Sequence, residues 1–210
     1  MRIVKRGGSS RLTAILIDGS NLHAACNALG FSVDYKKLLD SFEGTIFKSY
    51  YFTALPSEGE YNSLQPMIDF MEFNGFTVIK KDTKEFTQTH RFVCTECKAA
   101  NTQTSTKTKG NMDIEIAVIA KEIAPYVDNI ILFSGDGDFR FLVEALQRSH
   151  GMFVTVVSTI KTNPKFCADD LRRQADEFID LSDLRETVER TEDQASRRRQ
   201  FLDGTHGRKP

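Results

Sequence analysis

Four aspartates, Asp18, Asp113, Asp136 and Asp138, hold positions from which acid-based chemistry can be done. Two apolar runs end in acid: Ile15-Leu-Ile leads into Asp18, and Ile131-Leu-Phe-Ser-Gly leads into Asp136-Gly-Asp138. If the two runs are neighbouring parallel strands, their carboxylates meet at the carboxyl edge of the sheet, where such sheets bind ligands. Asp113 lies near the start of a helical stretch and can reach the same edge. Packed carboxylates repel one another unless a cation sits among them. An all-oxygen donor set suits Mg²⁺ or Mn²⁺, which keep several waters and take a substrate phosphate. Such an ion lowers the pKa of its water and neutralises charge on a phosphodiester. Ser134 and Asn21 are placed to orient a carboxylate or a water, and Gly135 and Gly137 let the backbone turn sharply beside them. Taken singly, each aspartate reads as a cap or turn residue, with Asp138 a good N-cap. Only their joint placement at strand ends makes a site.

The elements that must position these acids alternate along the chain. Ala14 to Ile17 reads as a buried strand, and Ser20 or Asn21 as the cap of the helix that follows. Asp34 caps a second short helix, and Ile46 to Phe52 forms an aromatic-rich strand. Leu64, Met67, Ile68 and Met71 recur at helical spacing until Asn74-Gly75 stops them. Phe76 to Ile79, Asn129 to Phe133 and Met152 to Val157 are further strands, and Phe178 to Leu181 is a final short edge strand. Helices are expected from Asp113 to Ala124, Phe139 to Ser149 and Phe166 to Gln174. The β-α-β-α order predicts a three-layer α/β/α fold around a mostly parallel sheet of about five strands. We divide the chain into an N-terminal extension over 1–11, a domain over 12–181 with a long irregular loop at 81–109, and a charged tail over 182–210.

Composition narrows the partners. The 210 residues carry a formal net charge of −1, whereas a protein holding nucleic acid by bulk charge is clearly basic. Any contact with nucleic acid must therefore be local. Lys80, Lys81, Lys84, Lys98, Lys107 and Lys109 flank or lie in the loop that feeds Asp113. They are candidates to hold the phosphates of a single strand, with Phe86 or Phe92 stacking on its bases. Arg172-Arg173 and Arg197 to Arg199 read as an exposed helix face and part of the tail.

No apolar run is long enough to span a bilayer, and the basic N-terminus lacks the apolar stretch of an export signal, so a cytoplasmic location is expected. Cys26, Cys94, Cys97 and Cys167 then read as reduced thiols rather than a disulfide framework. Cys94-Thr-Glu-Cys97 is half a zinc site, with His90 a possible third ligand for a structural Zn²⁺. His23, His150 and His206 lack partners at catalytic spacing, and nothing in the sequence speaks against a homo-oligomer.

Three segments together resemble the NYN domain family: Asp18-Gly-Ser-Asn21, Lys109-Gly-Asn-Met-Asp113-Ile-Glu and Ser134-Gly-Asp-Gly-Asp-Phe139. Their order fits, the resemblance runs from about Leu12 to Leu181, and Ala175 to Leu181 is similar to the closing segment of the LabA-like bacterial branch. NYN domains are PIN-like, metal-dependent ribonucleases. The resemblance implies a PIN-like fold, an acidic metal site of Asp18, Asp113, Asp136 and Asp138, Asn21 as the polar residue after the first acid, and RNA cleavage by metal-activated water. Two departures stand out. Ile119 occupies a position where relatives are expected to carry another acid, and the Cys94-containing stretch is longer than the usual connection.

Two other functions compete. A haloacid-dehalogenase-like phosphatase would use Asp18 as nucleophile, but it wants an acid two residues on, where Ser20 stands. A non-catalytic RNA-binding or regulatory module of the same fold is the stronger alternative. Single-stranded DNA is a further possible substrate.

Overall fold

A computed structural model describes residues 12–42, 45–55, 58–93 and 99–191. Strand β1 (Leu12–Asp18) leads to α1 (Gly19–Leu29) and α2 (Tyr35–Asp40). Then come β2 (Thr45–Leu55), α3 (Glu58–Phe73) and β3 (Phe76–Asp82). A hairpin of β4 (Lys84–Val93) and β5 (Ala100–Lys109) precedes α4 (Asp113–Ile123). The second half runs through β6 (Asn129–Phe133), α5 (Arg140–His150), β7 (Phe153–Ser158), α6 (Asp169–Gln174), β8 (Glu177–Asp180) and α7 (Arg185–Val188).

Six strands form one sheet in the order β3-β2-β1-β6-β7-β8, every neighbouring pair parallel. The strand order reverses between β1 and β6, which pair from Thr13 opposite Asn129 to Ile17 opposite Phe133. Their carboxyl ends form the switch point. The anticipated α/β architecture is therefore present, with the short Phe178 segment completing a sixth strand.

Alternation within the central strands builds the layers. Successive side chains point to opposite faces. Ile15, Ile17, Ile131 and Phe133 thus enter one apolar cluster with Leu22, Leu38 and Met71 from α1, α2 and α3. Ala14, Leu16, Ile130 and Leu132 enter the other with Ile116, Val143 and Leu171 from α4, α5 and α6. A strand buried on both faces needs apolar residues throughout, which is why these runs are continuous.

Three local readings are corrected. Where it is described, the stretch at 81–109 is not irregular: β4 and β5 pair antiparallel from Lys84 opposite Lys109 to Val93 opposite Ala100. Thr102, Thr104, Thr106 and Thr108 alternate as a strand does, but without apolar residues between them the period gave no burial signal. Order also continues past Ser182, because Leu184 and Val188 are fully buried and Arg190 N donates to the Ser32 carbonyl at 2.8 Å. Finally, Asp18 rather than Ser20 or Asn21 caps α1, and Asp136 rather than Asp138 caps the turn before α5. In both cases the strand-end acid is already positioned to accept the first free amides of the helix.

Candidate functional site

Asp18 ends β1 and is only 6% exposed. Its Oδ1 accepts the Ser20 hydroxyl at 2.8 Å and the Asn21 backbone amide at 3.1 Å. Its Oδ2 accepts the Ser134 hydroxyl, from just past β6, at 3.2 Å. Ser134 Oγ in turn accepts the Asp136 amide at 3.3 Å. Asn21 Oδ1 accepts the Gly135 amide at 2.9 Å, which joins the start of α1 to the turn after β6. Asp18, Asn21 and Ser134 therefore form a hydrogen-bonded lattice that fixes the turn carrying Asp136.

That turn is shaped by its glycine. A Cβ on Gly135 would lie 2.1 Å from the Phe166 carbonyl oxygen and 2.5 Å from Ser158 Oγ, closer than packed atoms approach. Beyond it, Asp136 Oδ1 accepts the Asp138 amide at 3.0 Å and closes a single 3₁₀ turn over Gly137–Phe139. The chain thus lifts both acids onto the carboxyl edge.

Asp113 opens α4, which packs on the same face of the sheet as α5, and reaches the same edge. Carboxylate oxygens of Asp113, Asp136 and Asp138 lie within 4.8 Å of one another. Partial burial, followed by the negative charges of Asp136, Asp18 and Asp138, raises the Asp113 carboxyl above its ordinary value. The Asn111 amide opposes this by donating to Asp113 Oδ2 at 2.6 Å. A cluster of hard oxygen donors in mutual repulsion fits a divalent cation of the Mg²⁺ or Mn²⁺ kind.

The four acids are thus brought to one edge in two ranks. Asp113, Asp136 and Asp138 converge, while Asp18 stands behind them with both oxygens engaged. This occupancy also weighs against Asp18 as a phosphatase nucleophile, since its lone pairs already accept three protein donors. Asn111 and Ser158 were not read from the sequence. Asn111 was legible as the amide two residues before Asp113, whereas Ser158 joins the neighbourhood only through the close approach of β7 to Gly135. Its buried hydroxyl lacks a hydrogen-bond partner among the described residues.

The basic residues divide differently from expectation. Lys80 pairs with Glu72 at 3.3 Å and Lys81 with Glu115 at 2.8 Å, so both are committed within the protein. Lys107 and Lys109 lie on β5, and Lys109 ends it four positions before Asp113. Their side chains, with those of Phe86 and His90, fall outside what the structure describes, as do Cys94 and Cys97. Ile119 packs against the α4-side core rather than the acidic edge. No helix among the described residues is long and apolar enough to cross a membrane.

Sheet order and acid placement define a class: a doubly wound α/β domain with carboxylates at its switch point. The model of the NYN domain matches residues 12–183. Low amplitude and bright protein LabA of Synechococcus elongatus is 33% identical over 190 residues, covering 87% of this chain and 90% of that protein. This chain belongs to the NYN domain family, whose members are nuclease-like. A crystal structure of a protein of unknown function from Vibrio parahaemolyticus shares the fold, with a TM-score of 0.61 at 24% identity over 88% of this chain and 99% of that one.

Proposed function

We propose that this protein is a divalent-metal-dependent ribonuclease. The observation that carries the reading is the convergence of Asp113, Asp136 and Asp138 within 4.8 Å at the switch point. Asp113, Asp136 and Asp138 hold the ion, and Asp18 contributes negative charge from behind. Mg²⁺ or Mn²⁺ bound there supplies neutralisation of phosphodiester charge and a more acidic water. Ser134 and Asn21 act as positioning residues, since they hold the Asp18 carboxylate and the Gly135 amide rather than substrate. Asn111 steadies Asp113.

RNA is the proposed substrate, and single-stranded DNA the second to test. Lys107 and Lys109 are proposed to meet its phosphates, because their strand delivers the chain to Asp113. The NYN domain is proposed as the catalytic unit, working in the cytoplasm. The free, buried thiols of Cys26 and Cys167, pushed up to about 12 and about 11 by burial, suit a reducing compartment.

The test is incubation of pure protein with mixed single-stranded and structured RNAs, with and without Mn²⁺, beside Asp136→Asn. Cleavage that needs the ion and vanishes in the variant supports the proposal. RNA binding without turnover at every metal concentration would favour the non-catalytic module instead.

A further inference from the structure

A cavity of about 370 Å³ opens beside the acidic edge, on the opposite side of β1 from β6. Gly19 and Ser20 line it directly after Asp18, and Thr53 and Ala54 line it where β2 ends. It therefore lies at the same carboxyl edge as the acids, one strand across. Its volume falls in the range of roughly 300–1,000 Å³ typical of small-molecule sites.

The lining combines apolar walls with a polar floor. Leu22 of α1 and Leu64 and Met67 of α3 supply the walls, while Tyr35 and Tyr51 reach in from α2 and β2. The two tyrosines are 7% and 3% exposed and meet edge to face, ring centroids 5.5 Å apart. Tyr35 donates its hydroxyl to the Tyr51 hydroxyl at 3.5 Å. One hydrogen bond between two hydroxyls leaves the Tyr51 proton without an acceptor among the described residues. A buried donor without an acceptor costs free energy unless a ligand or water completes it. At the rim, the Asn27 amide pairs with His23 Nε2 at 2.9 Å, and Arg190 supplies a cation.

We infer that this cavity is a nucleobase pocket, which receives the base next to the phosphate held at the acidic edge. The inference rests on the nuclease reading and names what selects its substrate. Sequence-selective RNA recognition works on unstacked bases, which bury a flat face among apolar side chains and hydrogen-bond through their edges. Apolar walls, a buried donor and a polar rim answer those needs in one place. Gly19, the residue after Asp18, packs directly against the pocket tyrosine, because a Cβ there would lie 2.6 Å from the Tyr51 ring and 2.8 Å from the Phe52 carbonyl oxygen. Arg190 is suited to a phosphate on the far side of the bound base.

The experiment is titration of the full chain with AMP, GMP, CMP and UMP in EDTA, followed by methyl NMR of Leu22, Leu64 and Met67 and by calorimetry. The expected result is shifts at these methyls, with one nucleotide bound at least fivefold more tightly than the weakest. Met67→Trp, which fills the cavity, should weaken that binding tenfold or more. Tyr51→Phe, which removes only the hydroxyl, should narrow the spread among the four bases. Absence of methyl shifts at millimolar nucleotide, or shifts that persist in folded Met67→Trp, would overturn the inference. Since no divalent ion is present, the outcome is separate from the nuclease test. RNA cleavage with an empty pocket sinks only the pocket, and nucleotide binding without cleavage sinks only the nuclease.

Discussion

Ser134 Oγ donates to the Asp18 carboxylate at 3.2 Å while accepting the Asp136 amide at 3.3 Å, so one hydroxyl couples both acids across the switch point. Ser134→Ala leaves an Asp18 oxygen and the Asp136 amide each short of a partner. The expected cost is about 1–3 kcal/mol, read by urea denaturation. Mn²⁺ affinity should fall as well, because the Asp136 turn loses its anchor. Unchanged stability and affinity would show that the hydroxyl positions nothing.

Asp113 is held in a site that disfavours its charge, through burial first and then through Asp136, Asp18 and Asp138. Its folded carboxyl titrates above the unfolded one, so the folded state binds the extra proton in the window between the two values. Stability without metal therefore rises as pH falls through that window, and the charged group destabilises the fold at neutral pH. Asp113→Asn should raise the melting temperature of the metal-free protein at pH 7 and abolish stabilisation by Mn²⁺. A variant that melts lower than the parent in EDTA would contradict the strained-cluster account.

Asp180 shows the opposite sign. Burial alone would raise its carboxyl, but the Ile160 amide at 3.1 Å, the Ser182 amide at 3.0 Å and the Thr159 hydroxyl at 3.1 Å hold it below the ordinary value. Its stabilisation is complete above the unfolded carboxyl pKa of about 3.9 and is lost as pH falls through the lower folded value. Asp180→Asn should cost about 1–3 kcal/mol at pH 7. That difference should shrink in acid, as thermal melts across pH can show.

Gly135 tolerates no side chain, because its missing Cβ is replaced by the Phe166 carbonyl and Ser158 Oγ. Gly135→Ala should destabilise by about 1–3 kcal/mol or more, since the obstacle is backbone. Gly137→Ala meets only Ala168 Cβ, at 3.1 Å, and should cost less. Equal melting temperatures for the two variants would refute the argument from close approach.

Much of this arrangement was legible because central parallel strands must be apolar on both faces, which makes Ala14–Ile17 and Ile130–Phe133 conspicuous. An acid at or within three residues of the end of such a run is placed by topology, so Asp18 and Asp136 could be read before any coordinates. The β4–β5 hairpin was hidden because β5 is polar on both faces after Ala100, so no apolar alternation marks it as a strand. Division of labour among the acids was hidden too, since a strand-end aspartate can cap a helix, as Asp18 does, or face outward with Asp113. The cavity beside Gly19 draws its lining from α1, α2, β2, α3 and the distant Arg190, a set that only the fold assembles.

The central claim is that Asp113, Asp136 and Asp138 share one cation. Calorimetric titration of the metal-free protein with Mn²⁺ at neutral pH tests it most directly, with Asp113→Asn and Asp136→Asn in parallel. One ion per chain in the parent, bound at least tenfold more weakly by each variant, is the predicted result. A parent that binds no Mn²⁺, or variants that bind it as tightly, would contradict the account.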